Sequence, residues 1–239
     1  MSRKCLWIYG WGMSTQIWSE VIEDLPDYEH HLVHFGECLN IEDFYLAIEK
    51  KLLDSPGEWT LIGWSMGGML ALESVFEQKK REKFNIKSLI VISSTLKFTN
   101  QDRTKGWSER IVKRMKKQLL IDPEETILQF KKLVFQSFEA TAQTSQLLYS
   151  EKTEFSLNGL EAGLNYLMNT DLTSNWIEFN NDESEFPLLW IHGQKDPICP
   201  SGFPDELVSD RTLLIGNGHV PFLYDKKQFI YQVNQFLNE

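Results

Sequence analysis

Cysteine is scarce in this chain: Cys5, Cys38 and Cys199 are the only three in 239 residues. An odd number at wide spacing argues against a disulfide framework and fits a reducing, cytoplasmic setting. Long apolar runs are missing too. Nothing approaches 18 consecutive apolar residues, so no segment reads as a membrane span. The run Cys5–Tyr9 behind Arg3 and Lys4 is too short for a secretory signal. Basic charge is in deficit, with 24 Lys and Arg against 34 Asp and Glu, a net charge of −10. Such a chain is repelled by nucleic acid and by anionic membranes, which are poor default partners. No internal repeat and no low-complexity tract occurs.

What remains is an ordinary globular composition, 42% apolar and 24% charged. The length suits one large domain, or one domain carrying an insertion. Short apolar runs at Cys5–Tyr9, His31–Phe35, Thr60–Trp64, Ser88–Ser93, Leu188–His192 and Thr212–Ile215 read as strands. Several are apolar on both faces, as buried parallel strands are. Amphipathic stretches lie between them. Ser14 or Thr15 is placed to cap a helix carrying Ile17 through Leu25. Asn40 and Asp43 form a capping-box pattern before Phe44, Ala47, Ile48 and Leu52. Met66–Lys80 and Lys226–Leu237 are two further helices.

This alternation predicts an α/β fold: a mainly parallel sheet of about six strands with helices on both faces. It stops between about Thr95 and Pro187. There the pattern is helical: Trp107–Leu120, Pro123–Phe138 behind Asp122, Ala140–Tyr149 and Leu157–Asn169. The expected division is a core of residues 1–95 and 181–239 with a helical cap at 96–180. Asn180–Glu185 reads as the loop returning to the sheet.

The strongest chemical signal is Gly63-Trp64-Ser65-Met66-Gly67, followed by Gly68. It falls between a predicted strand and a predicted helix, the context of a nucleophile elbow. A serine hydroxyl needs a base, and in this context the partners follow in the order serine, acid, histidine. Asp196 follows the strand Leu188–His192, and His219 follows the next strand. Both are expected at the sheet edge that carries Ser65. Asp196 would orient His219, with Asp182 and Asp171 as weaker rivals. His192 precedes Asp196 and reads as a structural strand-end residue. Two backbone N–H donors should hold an oxyanion: Met66, after the serine, and Trp11, in the turn Gly10-Trp11-Gly12 after the first strand. No cofactor is needed for this chemistry. His30, His31 and His34 do not read as a metal site, because a strand sends His31 and His34 to opposite faces.

These residues resemble the α/β-hydrolase superfamily over nearly the whole chain. Tyr9-Gly10-Trp11-Gly12-Met13, Gly63 to Gly68, Ile92-Ser93-Ser94, Gly163-Leu164-Asn165-Tyr166-Leu167 and Gly218-His219-Val220-Pro221-Phe222 are similar to segments of BioH-like carboxylesterases. That family removes the methyl ester from pimeloyl-acyl-carrier protein in biotin synthesis. The resemblance implies a triad of Ser65, Asp196 and His219. It also implies oxyanion donors at Trp11 and Met66, and an acyl pocket lined by Trp11, Trp64, Phe130, Phe135 and Phe138. The chain departs from the family at Tyr9, where a histidine is usual, and at Phe35-Gly36-Glu37-Cys38-Leu39. Because the chain begins almost at its first strand, the family's leading antiparallel strands are expected to be absent or reduced.

Between Arg103 and Lys132 nine basic residues stand against four acidic ones. Arg110, Lys113, Arg114, Lys116 and Lys117 are therefore candidates for docking an acidic carrier protein. A solvated helix face is the plainer reading of the same charges. The expected activity is hydrolysis of a short- or medium-chain acyl ester through an acyl-enzyme. A thioesterase or C–C bond hydrolase would use the same triad, and a non-catalytic sensing module would keep the pocket alone.

Overall fold

A computed structural model describes residues 3–81, 84–136, 147, 151–181, 186–200, 212–216 and 218–238. Six strands make one sheet: β1 (Lys4–Ile8), β2 (Glu29–Leu32), β3 (Trp59–Trp64), β4 (Ile86–Ile92), β5 (Leu188–His192) and β6 (Thr212–Leu214). Their order is β2-β1-β3-β4-β5-β6, and every neighbouring pair is parallel. The chain moves outward from β1 to β2, then returns to β3 on the other side of β1. That reversal opens a crevice beyond the carboxyl ends of β1 and β3, where open α/β sheets carry their sites.

Burial follows position in the sheet. All six residues of the inner strand β3 are buried. The outermost strands β2 and β6 have no fully buried residue. This accounts for a difference from the sequence reading. The second strand was expected at His31–Phe35 but pairs two residues earlier, through Glu29, His30 and His31. An edge strand tolerates polar residues that an inner one would not.

The helices are α1 (Ser19–Glu23), α2 (Ile41–Asp54), α3 (Met66–Arg81), α4 (Glu109–Ile121), α5 (Pro123–Val134), α6 (Leu157–Asn169), α7 (Thr173–Asn180), α8 (Pro221–Tyr224) and α9 (Lys226–Asn238). The Asn40–Asp43 capping box forms as the sequence predicts, with each side chain bonded to the other's backbone. Asp122 caps α5 through the Glu125 amide.

The helix expected from Ser14 to Leu25 does not form as one piece. A 3-10 turn at Thr15–Trp18 precedes the short α1, and neither Ser14 nor Thr15 caps it. Their hydroxyls are held elsewhere, on Glu151 and Glu154. The sequence reading also missed α7, whose start carries no side-chain cap. Its signal is the pair Trp176 and Phe179, three residues apart, which packs against Trp190 and Phe76.

Helices α4 to α7 all fall between β4 and β5. The described residues there add only isolated bridges, Lys97 to Asp171 and Thr99 to Trp107. Most of the expected piece at Ala140–Tyr149, residues 182–185 and Phe138 lie outside the described residues. Among the described residues, no helix is long and apolar enough to cross a membrane.

An aromatic chain fixes the carboxyl side of the sheet. Trp7 meets Trp18 at 5.0 Å, Trp18 meets Phe222 at 4.8 Å and Phe222 meets Trp64 at 5.4 Å between ring centroids. It ties β1, the 3-10 turn, α8 and β3 into one core.

The exposed capping box permits a clean test of local stability. Asn40→Ala removes the side-chain acceptor of the Asp43 amide, and unfolding in urea should show a loss of about 1 kcal/mol.

Candidate active site

The last residues of β3 are followed directly by Ser65 and the first turn of α3. Ser65 has φ of 58°, a left-handed conformation that a side chain rarely adopts. Tight packing holds it there. Ser65 N donates to Ile92 O at 2.9 Å, and Ser65 O accepts from Gly68 N and from Ser94 Oγ. A Cβ on Gly67 would lie 2.3 Å from Ile8 O, so only glycine lets α3 approach β1 this closely. The strain stored at Ser65 is of order 1–3 kcal/mol.

The loops after β1, β3, β5 and β6 meet at this edge. Gly193, just beyond β5, lies against the loop after β6: a Cβ there would be 1.9 Å from Gly218 O. This close approach sets Asp196 beside His219. Asp196 Oδ2 accepts from His219 Nδ1 at 2.8 Å, and Oδ1 accepts from the amides of Ile198 and Cys199 at 2.8 and 3.0 Å. Burial alone would raise the Asp196 carboxyl. The His219 charge and hydrogen bond, nearby His192 and the Cys199 amide outweigh it, so the group sits below the usual carboxylate range. His219 is fully buried, and its Nε2 has no hydrogen-bond partner among the described residues. That nitrogen is the one free to exchange a proton.

Trp64 links the serine turn to the histidine loop. Its Nε1 donates to His219 O at 2.8 Å, and the two rings stand 5.3 Å apart. The indole is packed among Trp18, Phe222 and His219, a position that supports the histidine.

Met66 is the first residue of α3, so its N–H has no carbonyl one turn earlier in the helix. Across the crevice, Gly10 brings the loop after β1 against the serine: a Cβ there would be 3.4 Å from Ser65 Oγ. Trp11 is the next residue. Its indole Nε1 donates to Leu160 O at 2.8 Å, and its ring meets Phe130 edge-on at 5.0 Å. Phe135 is buried at the end of α5.

The rival residues have other engagements. Asp171 pairs with Lys97 at 2.6 Å, exposed to solvent, and Asp182 lies outside the described residues. His192 Nε2 donates to Cys199 O, and its Nδ1 accepts from Trp190 Nε1. His30, His31 and His34 each bond to a different partner: Leu25 O and Trp7, Glu29, and Glu154. Asp196, Cys199 and His219 bring potential ligand atoms within 4.8 Å, but burial holds the Cys199 thiol protonated, well above its ordinary range. One feature escaped the sequence. Ser93, at the end of β4, also has positive φ, 41°, with a buried hydroxyl lacking a partner among the described residues. Ile92-Ser93-Ser94 reads as a plain strand end and carries no sign of it.

The Asp196 carboxyl is lower in the folded than in the unfolded chain. It therefore adds stability above the unfolded value, about 4, and that contribution is lost as pH falls through the folded value. Thermal unfolding of Asp196→Asn should show a shallower acid slope than wild type between about pH 5 and pH 2.

Comparison with known proteins shows what the chain is similar to as a whole. The chain is 26% identical over 244 residues to a pimeloyl-[acyl-carrier protein] methyl ester esterase of Vibrio campbellii, covering 96% of this chain and 92% of that one. It is 25% identical over 248 residues to the esterase of the same description from Serratia marcescens, covering 98% and 94%. Among solved structures, an esterase from Exiguobacterium antarcticum superposes with a TM-score of 0.79 at 17% identity, covering 100% of this chain and 92% of that chain. That last likeness is one of fold. Residues 38–211 match the family model Hydrolase_4, described as serine aminopeptidase, S33. With its parallel sheet, its strained Ser65 between strand and helix, and this match over most of its length, the chain belongs to that family of α/β hydrolases and is an enzyme of it.

Proposed function

We propose that this hydrolase is a serine carboxylesterase acting on a short- or medium-chain acyl ester, and that the ester is presented on an acyl-carrier protein. The observation that carries the reading is the buried Asp196–His219 pair with a free Nε2, tethered through Trp64 to the turn that bears Ser65.

In this reading Ser65 Oγ attacks the ester carbonyl while His219 Nε2 takes its proton. Asp196 keeps the Nδ1 hydrogen in place and stabilises the imidazolium. The carbonyl oxygen becomes an oxyanion, held by the N–H of Met66 at the N-terminus of α3 and the N–H of Trp11 in the loop after β1. Collapse expels the alcohol, which takes the proton from His219. Water then attacks the acyl carbonyl as His219 takes its proton, and collapse releases the carboxylic acid while His219 returns that proton to Ser65 Oγ. Residues 96–180 act as a cap over a core of 1–95 and 181–239. Trp11, Phe130 and Phe135 are the acyl-pocket residues, and Trp64 positions His219.

Two features of α4 and α5 support a carrier-borne substrate. An open groove of about 610 Å³ runs between them, lined by Trp107, Ile111, Met115, Phe130 and Leu133. Phe130 is shared with the Trp11 contact, so the groove reaches toward the crevice. Arg110, Lys113, Arg114 and Lys117 are exposed on α4, while the rest of the chain is strongly acidic. Lys116 is the exception in that set: it turns inward to Asn165 and Glu161 on α6. The curated relatives act, by name, on a pimeloyl-carrier methyl ester, and we assign the same substrate class here.

Hydrolysis of p-nitrophenyl esters of graded length should fall toward background in Ser65→Ala, a loss of up to about a million-fold in kcat. Matched oxyester and thioester substrates separate the esterase from a thioesterase. For the carrier, Arg110→Glu combined with Lys117→Glu should raise KM for pimeloyl-carrier methyl ester about tenfold and leave the free ester unaffected. Added salt should weaken the wild-type interaction in the same direction.

A further inference from the structure

Beyond the residues at the reacting atoms, one carboxylate gathers an unusual number of donors. Glu154, in the segment before α6, holds both ends of the loop that contains Trp11. Its Oε1 accepts from Thr15 N at 2.9 Å and from Thr15 Oγ1 at 2.6 Å. Its Oε2 accepts from Tyr9 OH at 3.0 Å and contacts His34 Nδ1 at 3.2 Å. Tyr9 OH in turn accepts from the Phe35 amide at 2.9 Å. The backbone joins in: Glu154 N donates to Met13 O at 3.1 Å, and Ser14 Oγ donates to Glu151 at 2.7 Å.

The same segment seats the Trp11 side chain from its other end. Leu160 O accepts the indole Nε1, and a Cβ on Gly163 would lie 2.5 Å from Trp11 Cδ1. The loop backbone and the Trp11 indole are therefore both set by residues 154–163. The only loop residues between the Glu154 contacts at Tyr9 and Thr15 are 10–14, so a shift at either end moves the Trp11 amide.

We propose that Glu154 is a positioning residue for hydrolysis: by fixing Tyr9 and Thr15 it sets the Trp11 N–H at the distance an oxyanion needs. This rests on the reading of Trp11 as an oxyanion donor. The carboxylate form is the one required, since four donors converge on two acceptor oxygens. Burial would raise this carboxyl, but Thr15, Tyr9 and the His34 charge together hold it below its ordinary range.

Glu154→Gln tests the proposal, because it keeps the size and replaces one acceptor oxygen by a donor facing Tyr9 or Thr15. Purified full-length variant and wild type are compared for kcat and KM on a p-nitrophenyl ester. A boronic acid that forms a tetrahedral serine adduct, and a fluorophosphonate that labels Ser65, are tested alongside. Removing an oxyanion donor outright costs about 100- to 1000-fold, so displacing one should lower kcat roughly 10- to 100-fold. KM should change little, and boronate affinity and labelling rate should fall with kcat. Tyr9→Phe keeps the ring packing and should show a smaller loss of the same kind, which covers the case in which Glu154→Gln fails to fold. Unchanged kcat, boronate affinity and labelling, whatever the melting temperature does, would overturn the inference. Failure of the wild type to be labelled at Ser65 would instead overturn the reading of the site on which it rests.

Discussion

The structure depends on holding one residue, Ser65, in a backbone conformation that it would not adopt alone. Its φ of 58° is tolerated because β3, β4, α3 and β1 all close on it at once. Gly67 meets the β1 carbonyl, the Ser65 amide is bonded to Ile92, and the Ser65 carbonyl accepts from Gly68 N, Met69 N and Ser94 Oγ. The result is a hydroxyl presented at the rim of a parallel sheet beside a helix N-terminus. The favourable field there comes from the folded backbone and is already in place in the folded chain.

Around that point Asp196, His219 and Trp11 are each fixed by neighbouring residues. Trp64 holds the His219 carbonyl, and two amides hold the far oxygen of Asp196. The close approach of Gly193 to Gly218 brings the loops of Asp196 and His219 together. On the opposite wall, Glu154, Leu160 and Gly163 grip the Trp11 loop from the segment between β4 and β5. That segment is part of the framework that holds the Trp11 loop.

Much of this was legible in the sequence, for physical reasons. Gly63, Gly67 and Gly68 cannot be other than small where a strand turns sharply into a helix, and the apolar runs of inner parallel strands have no polar alternation to confuse them. Asn40 with Asp43 marks a helix start locally, and the structure uses it so. The misreadings were long-range. Ser14 and Thr15 look like caps until Glu151 and Glu154, some 140 residues later, claim their hydroxyls. Nothing local to Trp64 announces that its N–H donates to the His219 carbonyl, 155 residues later. Lys116 belongs to a basic run, yet it is paired across to α6. The strain at Ser93 has no local signature at all.

The central claim is that an acyl group passes through Ser65. The most direct measurement is rapid acid quenching of the enzyme during turnover of an activated ester, followed by peptide mass analysis. The acyl mass should appear on the peptide containing Ser65 and rise to a steady level within the first turnovers. Sustained turnover with no adduct, or an adduct confined to a peptide lacking Ser65, would contradict the account.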